Sequence, residues 1–285
     1  MKTLLKIEIK KALNNKFFYV TIVIATLLTM LSAISNIFAY MKMQGLINES
    51  LELYGEMYYN PFLPSDSLFT YWIGGETISL YYSLFFLLIP IFAAFPYGWS
   101  YYMETKKGYI KNVITRTDKK KYYISKYIAV FVAGGLAVLI PLLINFMVVS
   151  SFVPARMTSV IYDQYINIPP TNMWSQIAYT HPYLYVFMYM ILDYVFSGLI
   201  AGLCMTVSLF FKNRVVVVLL PFFLMLGLNF ANTFSTTWEY SPINFMHATR
   251  VINSANGYII LLEALMLFAI GFVITIWRGS KSDVF

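Results

Sequence analysis

The sequence has few charged residues and only one cysteine. Asp, Glu, Lys and Arg together make up 12% of the chain, whereas soluble domains carry about a quarter. Because Cys204 has no second cysteine to pair with, an intrachain disulfide is excluded. His181 and His247 lack the spacing of metal ligands, so we expect no metal site.

The motifs of membrane-embedded enzymes are also missing from the sequence. It contains no HExxH or GxGD motif and no paired Asp-rich motifs, so we expect no catalytic residues. It also lacks a GxxxxGK[ST] loop, whose backbone amides hold nucleotide phosphates. The chain is therefore not expected to be an enzyme or to hydrolyse ATP itself.

Apolar residues are abundant and occur in long runs. Hydrophobic residues make up 59% of the chain, aromatic residues 19%, and the mean hydropathy is +0.67. A helix needs about 20 apolar residues to cross a bilayer, whereas barrel strands alternate apolar and polar positions. The unbroken runs predict an all-α polytopic membrane protein with six transmembrane helices, at about 17–40, 78–103, 127–149, 183–211, 215–233 and 257–277.

The distribution of cations predicts the orientation of these helices. With the N-terminus inside, 17 of the 20 Lys and Arg residues fall on the cytoplasmic side, where cations are retained. Both termini are then cytoplasmic, and the protein lies in the cell membrane. The net charge of +7 is a cytoplasmic excess that attracts lipid headgroups, and it does not indicate nucleic-acid binding.

The segments outside the spans differ in character. The outer loops 41–77, 150–182 and 234–256 are long, and loops of that length usually carry structure of their own. Residues 1–16 predict an interfacial helix, because one apolar face recurs at helical spacing, at Leu5, Ile9, Ala12 and Leu13. The alternative is a basic segment that only sets orientation.

The inner segment 104–126 is the most basic part of the chain, with eight Lys and Arg residues in 23 positions. Ile110, Val113 and Ile114 follow helical spacing within it, which predicts a short helix with an apolar ridge. Gly108 suits a sharp turn at the end of the second span. We expect the ridge to insert into a groove on a cytoplasmic protein while the surrounding cations meet acidic groups.

This segment resembles the coupling helix of ABC transporter permeases of the type-2 exporter family. The resemblance rests on the order Glu104, Gly108, Lys111, an apolar pair, a basic cluster at 116–121, then Tyr123 and Lys126. It implies a single permease domain over 1–285 and a segment that docks on an ATPase subunit. The residues expected to couple to the ATPase are Glu104, Lys107, Gly108, Ile110, Lys111, Val113, Ile114 and Arg116.

The same resemblance implies partners and a mechanism. A separate ABC ATPase would hold ATP and Mg, this chain would hold no cofactor, and a second permease chain, identical or closely related, would complete the membrane part. The pair would export a hydrophobic or amphipathic substrate from a bacterial cell by alternating access, with an antimicrobial or toxin peptide as the first expectation. Residues 236–256 resemble the short re-entrant helices of these exporters, and a plain surface loop is the alternative.

The family layout also suggests a substrate path. In these permeases the first, second and fifth spans meet at the dimer centre, which implies an aromatic path with a few polar groups. Packing within the core of the chain is the alternative for each of these residues. The expected path residues are Tyr81, Tyr82, Phe85, Phe86, Pro90, Pro221, Asn229 and Asn232.

Two carboxylates fall within predicted spans. Asp193 and Glu263 each cost about 2.5–3.5 kcal/mol at mid-bilayer, so intramembrane acids are functional candidates by default. They leave open an ion-coupled secondary transporter, or a purely structural role in which each acid is hydrogen-bonded or protonated. A non-transporting immunity or sensor module is a further alternative.

Overall fold

The computed structural model describes residues 1–55, 66–77, 79–157, 168–170, 172–249 and 255–281. Over these residues the architecture is all-α, as the sequence predicts. Five helices are long and apolar enough to cross a membrane, which indicates a multi-pass membrane protein. They are α2 (Lys16–Tyr54), α7 (Lys119–Ser150), α9 (Pro182–Ser208), α10 (Arg214–Asn232) and α12 (Gly257–Lys281).

The other helices in the described residues are shorter. They are α1 (Lys2–Leu13), α3 (Leu68–Tyr71), α4 (Leu80–Ala94), α5 (Ser100–Lys106), α6 (Tyr109–Ile114), α8 (Ser175–Thr180) and α11 (Pro242–Phe245). Helix α1 lies within the predicted 1–16 helix, and α6 lies within the basic segment. Whether α1 lies in the membrane interface stays a prediction.

The expectation of a single second span over 78–103 is not confirmed. The chain forms the 15-residue α4, then turns through 95–99 and continues as α5. Proline at 96 has no N–H, so the helical hydrogen bond from position 96 to the Phe92 carbonyl cannot form. The Pro96 carbonyl instead accepts a hydrogen bond from Asn15 Nδ2 at 3.0 Å. Within the described residues, five helices are therefore long and apolar enough to cross a membrane, instead of the six predicted spans.

The first helix is longer than predicted. Helix α2 has 39 residues and continues past Tyr40 to Tyr54. At about 1.5 Å per residue it is about 58 Å long, whereas the hydrocarbon core is about 30 Å thick. Part of the predicted outer loop 41–77 is therefore helical, while 56–65 of that loop lie outside the described residues.

Helices α7 and α9 form the centre of the bundle. In α9, 78% of the most apolar stretch is buried, against 22% in α12. The two central helices approach closely through small residues, since a Cβ added at Gly134 would lie 2.4 Å from the Ala201 Cβ. Small residues allow the close helix approach that drives packing inside membranes.

The last predicted outer segment, 234–256, is largely buried where it is described. Every residue from 241 to 249 is buried, and α11 lies within this stretch. The ring of Phe245 packs on Phe196 of α9 at 4.9 Å between centroids. A plain surface loop is therefore wrong for 241–249, and residues 250–254 lie outside the described part.

Candidate functional site

A fully buried lysine lies where the basic segment meets the helical bundle. Lys126, near the start of α7, has no exposed surface. Its ammonium donates to Glu8 Oε2 at 3.0 Å and to Tyr97 Oη at 2.9 Å. It also pairs with Glu104 Oε1 at 2.8 Å. These three acceptors match the three N–H groups of an ammonium, so the buried charge is fully paired.

A second lysine closes the network from the outside. Lys11 of α1 pairs with Glu8 Oε1 at 3.0 Å and approaches Glu104 Oε1 at 3.7 Å. Its ammonium also donates to Tyr109 Oη of α6 at 2.7 Å. Two carboxylates thus balance two ammonium groups. We call Glu8, Lys11, Glu104 and Lys126 the charge network; its hydrogen bonds also reach Tyr97, Tyr109 and Tyr122.

Glu104 holds a central position in this network. Its Oε2 accepts a hydrogen bond of 2.5 Å from Tyr122 of α7, while its Oε1 faces Lys126. Glu8 likewise uses both carboxylate oxygens, one for each lysine. The network therefore joins α1, α5, α6 and α7 through interactions between residues up to 118 positions apart.

The charges of the network shift the pKa values of Glu8 and Lys11. Burial alone raises the pKa of Glu8, but Lys126 and Lys11 outweigh it and hold that pKa below its usual value. Burial lowers the pKa of Lys11, yet the hydrogen bond to Tyr109 and the charges of Glu8 and Glu104 raise it overall. Both groups are therefore charged over the physiological range.

These shifts predict a pH dependence of stability. Since the pKa of Glu8 is lowered on folding, its contribution is complete above the unfolded value of about 4.3 and is lost as pH falls through the lower folded value. In thermal unfolding of the solubilised full chain, Glu8→Gln is expected to flatten the acid side of the profile. Glu52→Gln, which changes an exposed acid, serves as control. An unchanged acid side in Glu8→Gln would contradict the ionised assignment.

The turn between α5 and α6 places the basic segment against the network. Gly108 has φ +70°, in the left-handed region that glycine adopts without cost. The predicted turn at this residue is therefore present. It reverses the chain so that Tyr109, the first residue of α6, reaches Lys11.

The predicted apolar ridge faces inward, which corrects the expected orientation. Ile110 is 1% exposed and belongs to the hydrophobic core, and Val113 and Ile114 are partly buried against that core. The ridge anchors α6 to its own chain and leaves Ile110 no surface for a partner. Amphipathic spacing shows that a helix has an apolar face, but it does not show which protein covers that face.

The outer face of the same segment is cationic. Lys107, Lys111 and Arg116 are exposed. Within the described residues these three form no ion pair, and the ion pairs found there belong to the charge network. A cleft of about 350 Å³ beside them is lined by Lys11, Trp99, Ser100, Met103, Glu104, Lys107 and Tyr109. The segment thus presents free positive charge next to a fixed, neutral network.

The predicted path residues lie in different environments. Tyr82, Phe85 and Phe86 are buried in the core, where the rings of Tyr82 and Phe86 pack on His247. Asn232 is buried and bonded to Glu239. Pro90 and Pro221 lie buried inside α4 and α10, and Tyr81 and Asn229 are partly exposed. A role in a substrate path stays a prediction for all eight.

The two predicted intramembrane acids lie on different helices. Asp193 of α9 is 1% exposed, and its Oδ1 has no hydrogen-bond partner among the described residues. Glu263 of α12 is partly buried. The described residues contain no group of three or more His, Cys, Asp or Glu side chains that could hold a metal ion.

The sequence gives only a weak signal for the residues of this site that were not predicted from it. Glu8 is the single acid among residues 1–16, yet nothing in the local pattern connects it to Lys126. Tyr97 and Tyr122 are aromatic residues in aromatic surroundings, so they do not stand out. Their roles depend on contacts between distant parts of the chain.

Comparisons with known proteins relate the chain to a family of unknown function. A family model described as "Protein of unknown function (DUF2705)" matches residues 57–285. The "Uncharacterized protein YybM" of Bacillus subtilis (strain 168) is 25% identical over 173 residues, which are 61% of this chain and 64% of that protein. The alignment thus spans less than two thirds of that relative. No solved structure matches the chain.

Proposed function

This chain belongs to the DUF2705 family of proteins of unknown function, and we propose that it is the membrane subunit of an ATP-driven exporter. The observation that carries the proposal is the charge network, which fixes a cationic segment to a helix long enough to span the membrane. A transport subunit driven from outside the membrane needs such a connection, because force applied to a loose loop would not move the spans.

The basic segment is the proposed docking site for the ATPase. Lys107, Lys111 and Arg116 are exposed and unpaired within the described residues, so an acidic surface on the partner can pair with them. The inward ridge changes how the segment works: it fastens α6 to the bundle, while its polar face meets the partner. Docking would therefore rely on charge and shape more than on apolar insertion.

The ATPase would supply the nucleotide chemistry. The sequence carries no GxxxxGK[ST] loop, so ATP and Mg belong in the partner chain. The orientation follows from the 17 cations placed inside, with both termini cytoplasmic in the cell membrane. A second permease chain, identical or closely related, would pair with this one across apolar outer faces such as those of α2 and α10.

The cargo is proposed to be hydrophobic or amphipathic, with a peptide as the first candidate. Tyr82, Phe85 and Phe86 fill the core in this conformation. Alternating access would require α4 to move so that such aromatic residues line an open path. The break between α4 and α5 at 95–99 provides a place for that movement.

Co-purification from native membranes tests the proposal. The tagged full-length protein is expected to recover a chain with a GxxxxGK[ST] loop in near-stoichiometric amount, and the complex is expected to hydrolyse ATP. Mass spectrometry identifies the chain, and phosphate release measures its activity. Recovery of this protein without any such ATPase, from membranes that contain it at native level, would overturn the proposal.

One observation favours a second candidate, an ion-coupled transporter. The unpartnered Oδ1 of buried Asp193 is typical of a site that takes up a proton or cation during transport. Under that mechanism substrate moves in vesicles without ATP, and Asp193→Asn abolishes the movement. A strict requirement for ATP excludes this candidate and favours the exporter subunit.

A further inference from the structure

Another buried carboxylate, Glu239, lies in the connection between α10 and α12. Glu239 is 1% exposed, whereas its neighbours Trp238 and Tyr240 are 39% and 43% exposed. Within the described residues Glu239 forms no ion pair. The carboxylate is thus buried although the residues on either side of it in the sequence are exposed.

Hydrogen bonds from three donors converge on one oxygen of this carboxylate. Glu239 Oε1 accepts from Asn232 Nδ2 at 2.6 Å, from Asn244 Nδ2 at 3.0 Å and from the Ser241 backbone N–H at 3.3 Å. All three donors are neutral, so the negative charge itself is left uncompensated.

Three oxygens of the same cluster have no hydrogen-bond partner among the residues that the structure describes. They are Glu239 Oε2, Ser241 Oγ and Asn244 Oδ1, all on residues at most 6% exposed. Asn244 donates its side-chain amide and Ser241 its backbone N–H to Glu239 Oε1, so the two residues that carry the other free oxygens contact the carboxylate directly. Buried polar atoms normally have partners, so three adjacent exceptions point to a missing ligand.

The chemistry of the free atoms identifies the class of ligand. Carboxylate, hydroxyl and amide oxygens are the ligands that hard cations such as Na⁺ and Ca²⁺ take in proteins. We propose that Glu239, Ser241 and Asn244 form a binding site for a hard metal cation. The site lies in a segment predicted to face the outside, where both ions are available. One carboxylate among neutral oxygens matches the charge of Na⁺.

A bound cation would fix the geometry of this connection. Asn232 at the end of α10 contacts Glu239 and also accepts a hydrogen bond from the Tyr240 N–H at 2.8 Å. Asn244 belongs to α11. A cation that neutralises the charge of Glu239 would therefore strengthen the link between α10 and the segment that leads to α12.

Cation-dependent unfolding of the solubilised full chain tests this site. Melting temperatures are measured in NaCl, KCl and CaCl₂, with choline chloride matching the ionic strength. One metal cation is expected to raise the melting temperature in a saturable manner, and at 100 times its Kd the folding constant rises about 100-fold. A rise with NaCl alone assigns the site to Na⁺, and a rise with CaCl₂ at lower concentration assigns it to Ca²⁺.

Variants separate the site from general salt effects. Glu239→Gln is expected to abolish the saturable shift, and Ser241→Ala, which removes an oxygen with no hydrogen bond to lose, is expected to weaken the apparent affinity several-fold. Glu52→Gln, an exposed acid on α2, keeps the wild-type shift. The proposal is overturned if choline chloride gives the same shift, if Glu239→Gln keeps the shift, or if no metal salt produces one. Glu239 would then be a hydrated or protonated structural acid. ATPase co-purification is unaffected by that outcome.

Discussion

Replacement of Lys126 by methionine is expected to lower the free energy of unfolding by about 3 kcal/mol, near the lower end for breaking a buried ion pair. Methionine fills the space but removes the ammonium, which leaves Glu8 and Glu104 close together in a buried site. The loss stays near that lower end because Lys11 still pairs with Glu8. Denaturant unfolding of the full chain in detergent measures the difference.

Lys121→Met is the matched control for this prediction. Lys121 lies on the same helix and is exposed, so the same substitution there is expected to change stability by less than about 0.5 kcal/mol. Adding Glu8→Gln and Glu104→Gln to Lys126→Met should recover part of the loss, because no buried charge then lacks a partner. Equal unfolding midpoints for Lys126→Met and Lys121→Met would show that the network is not stabilising.

Reversing two charges on the basic segment is expected to separate the ATPase from this chain. Lys111 and Arg116 are exposed, and Lys111→Glu with Arg116→Glu replaces attraction by repulsion at an acidic partner surface. Like charges across an interface cost several kcal/mol, so recovery of the ATPase on co-purification is expected to fall at least about tenfold. Stability of the isolated chain should change little, since neither side chain belongs to the charge network.

A second double variant controls for net charge. Lys2→Glu with Lys6→Glu makes the same change of charge at exposed residues of α1, on the same predicted side of the membrane. This control should recover the ATPase at the wild-type level. If both double variants recover it fully, the basic segment is not the docking site, whatever else the complex does.

A proline within a predicted span does not by itself break the helix, since α7 contains Pro141 and stays continuous. Residues 127–149 and 257–277 are continuous apolar runs, and α7 and α12 contain them. The second predicted span is as apolar, but Pro96 interrupts it and the structure turns there. Window composition does not register a single proline, and whether that proline bends or breaks a helix depends on tertiary contacts such as the one from Asn15.

The position of the basic segment was predictable from the sequence, but its packing was predictable only in part. Charge located the basic loop, and spacing located the ridge of Ile110, Val113 and Ile114. The sequence could not show that this ridge packs on its own chain, since a core and a partner groove require the same apolar face. The pairing of Glu8 with Lys126 could not be predicted either, because no local sequence pattern links residues 118 positions apart.

The most direct test of the central claim measures whether α1 and α6 are held as one unit by the charge network. Spin labels at Lys6→Cys and Asn112→Cys sit on exposed positions, and the native Cys204 is buried and can be replaced by alanine. Pulsed electron paramagnetic resonance on the full chain in lipid nanodiscs gives the distance distribution between the labels. We expect one narrow distribution, and a clearly broader one when Lys126→Met is added. Equally broad distributions with and without Lys126 would contradict the account.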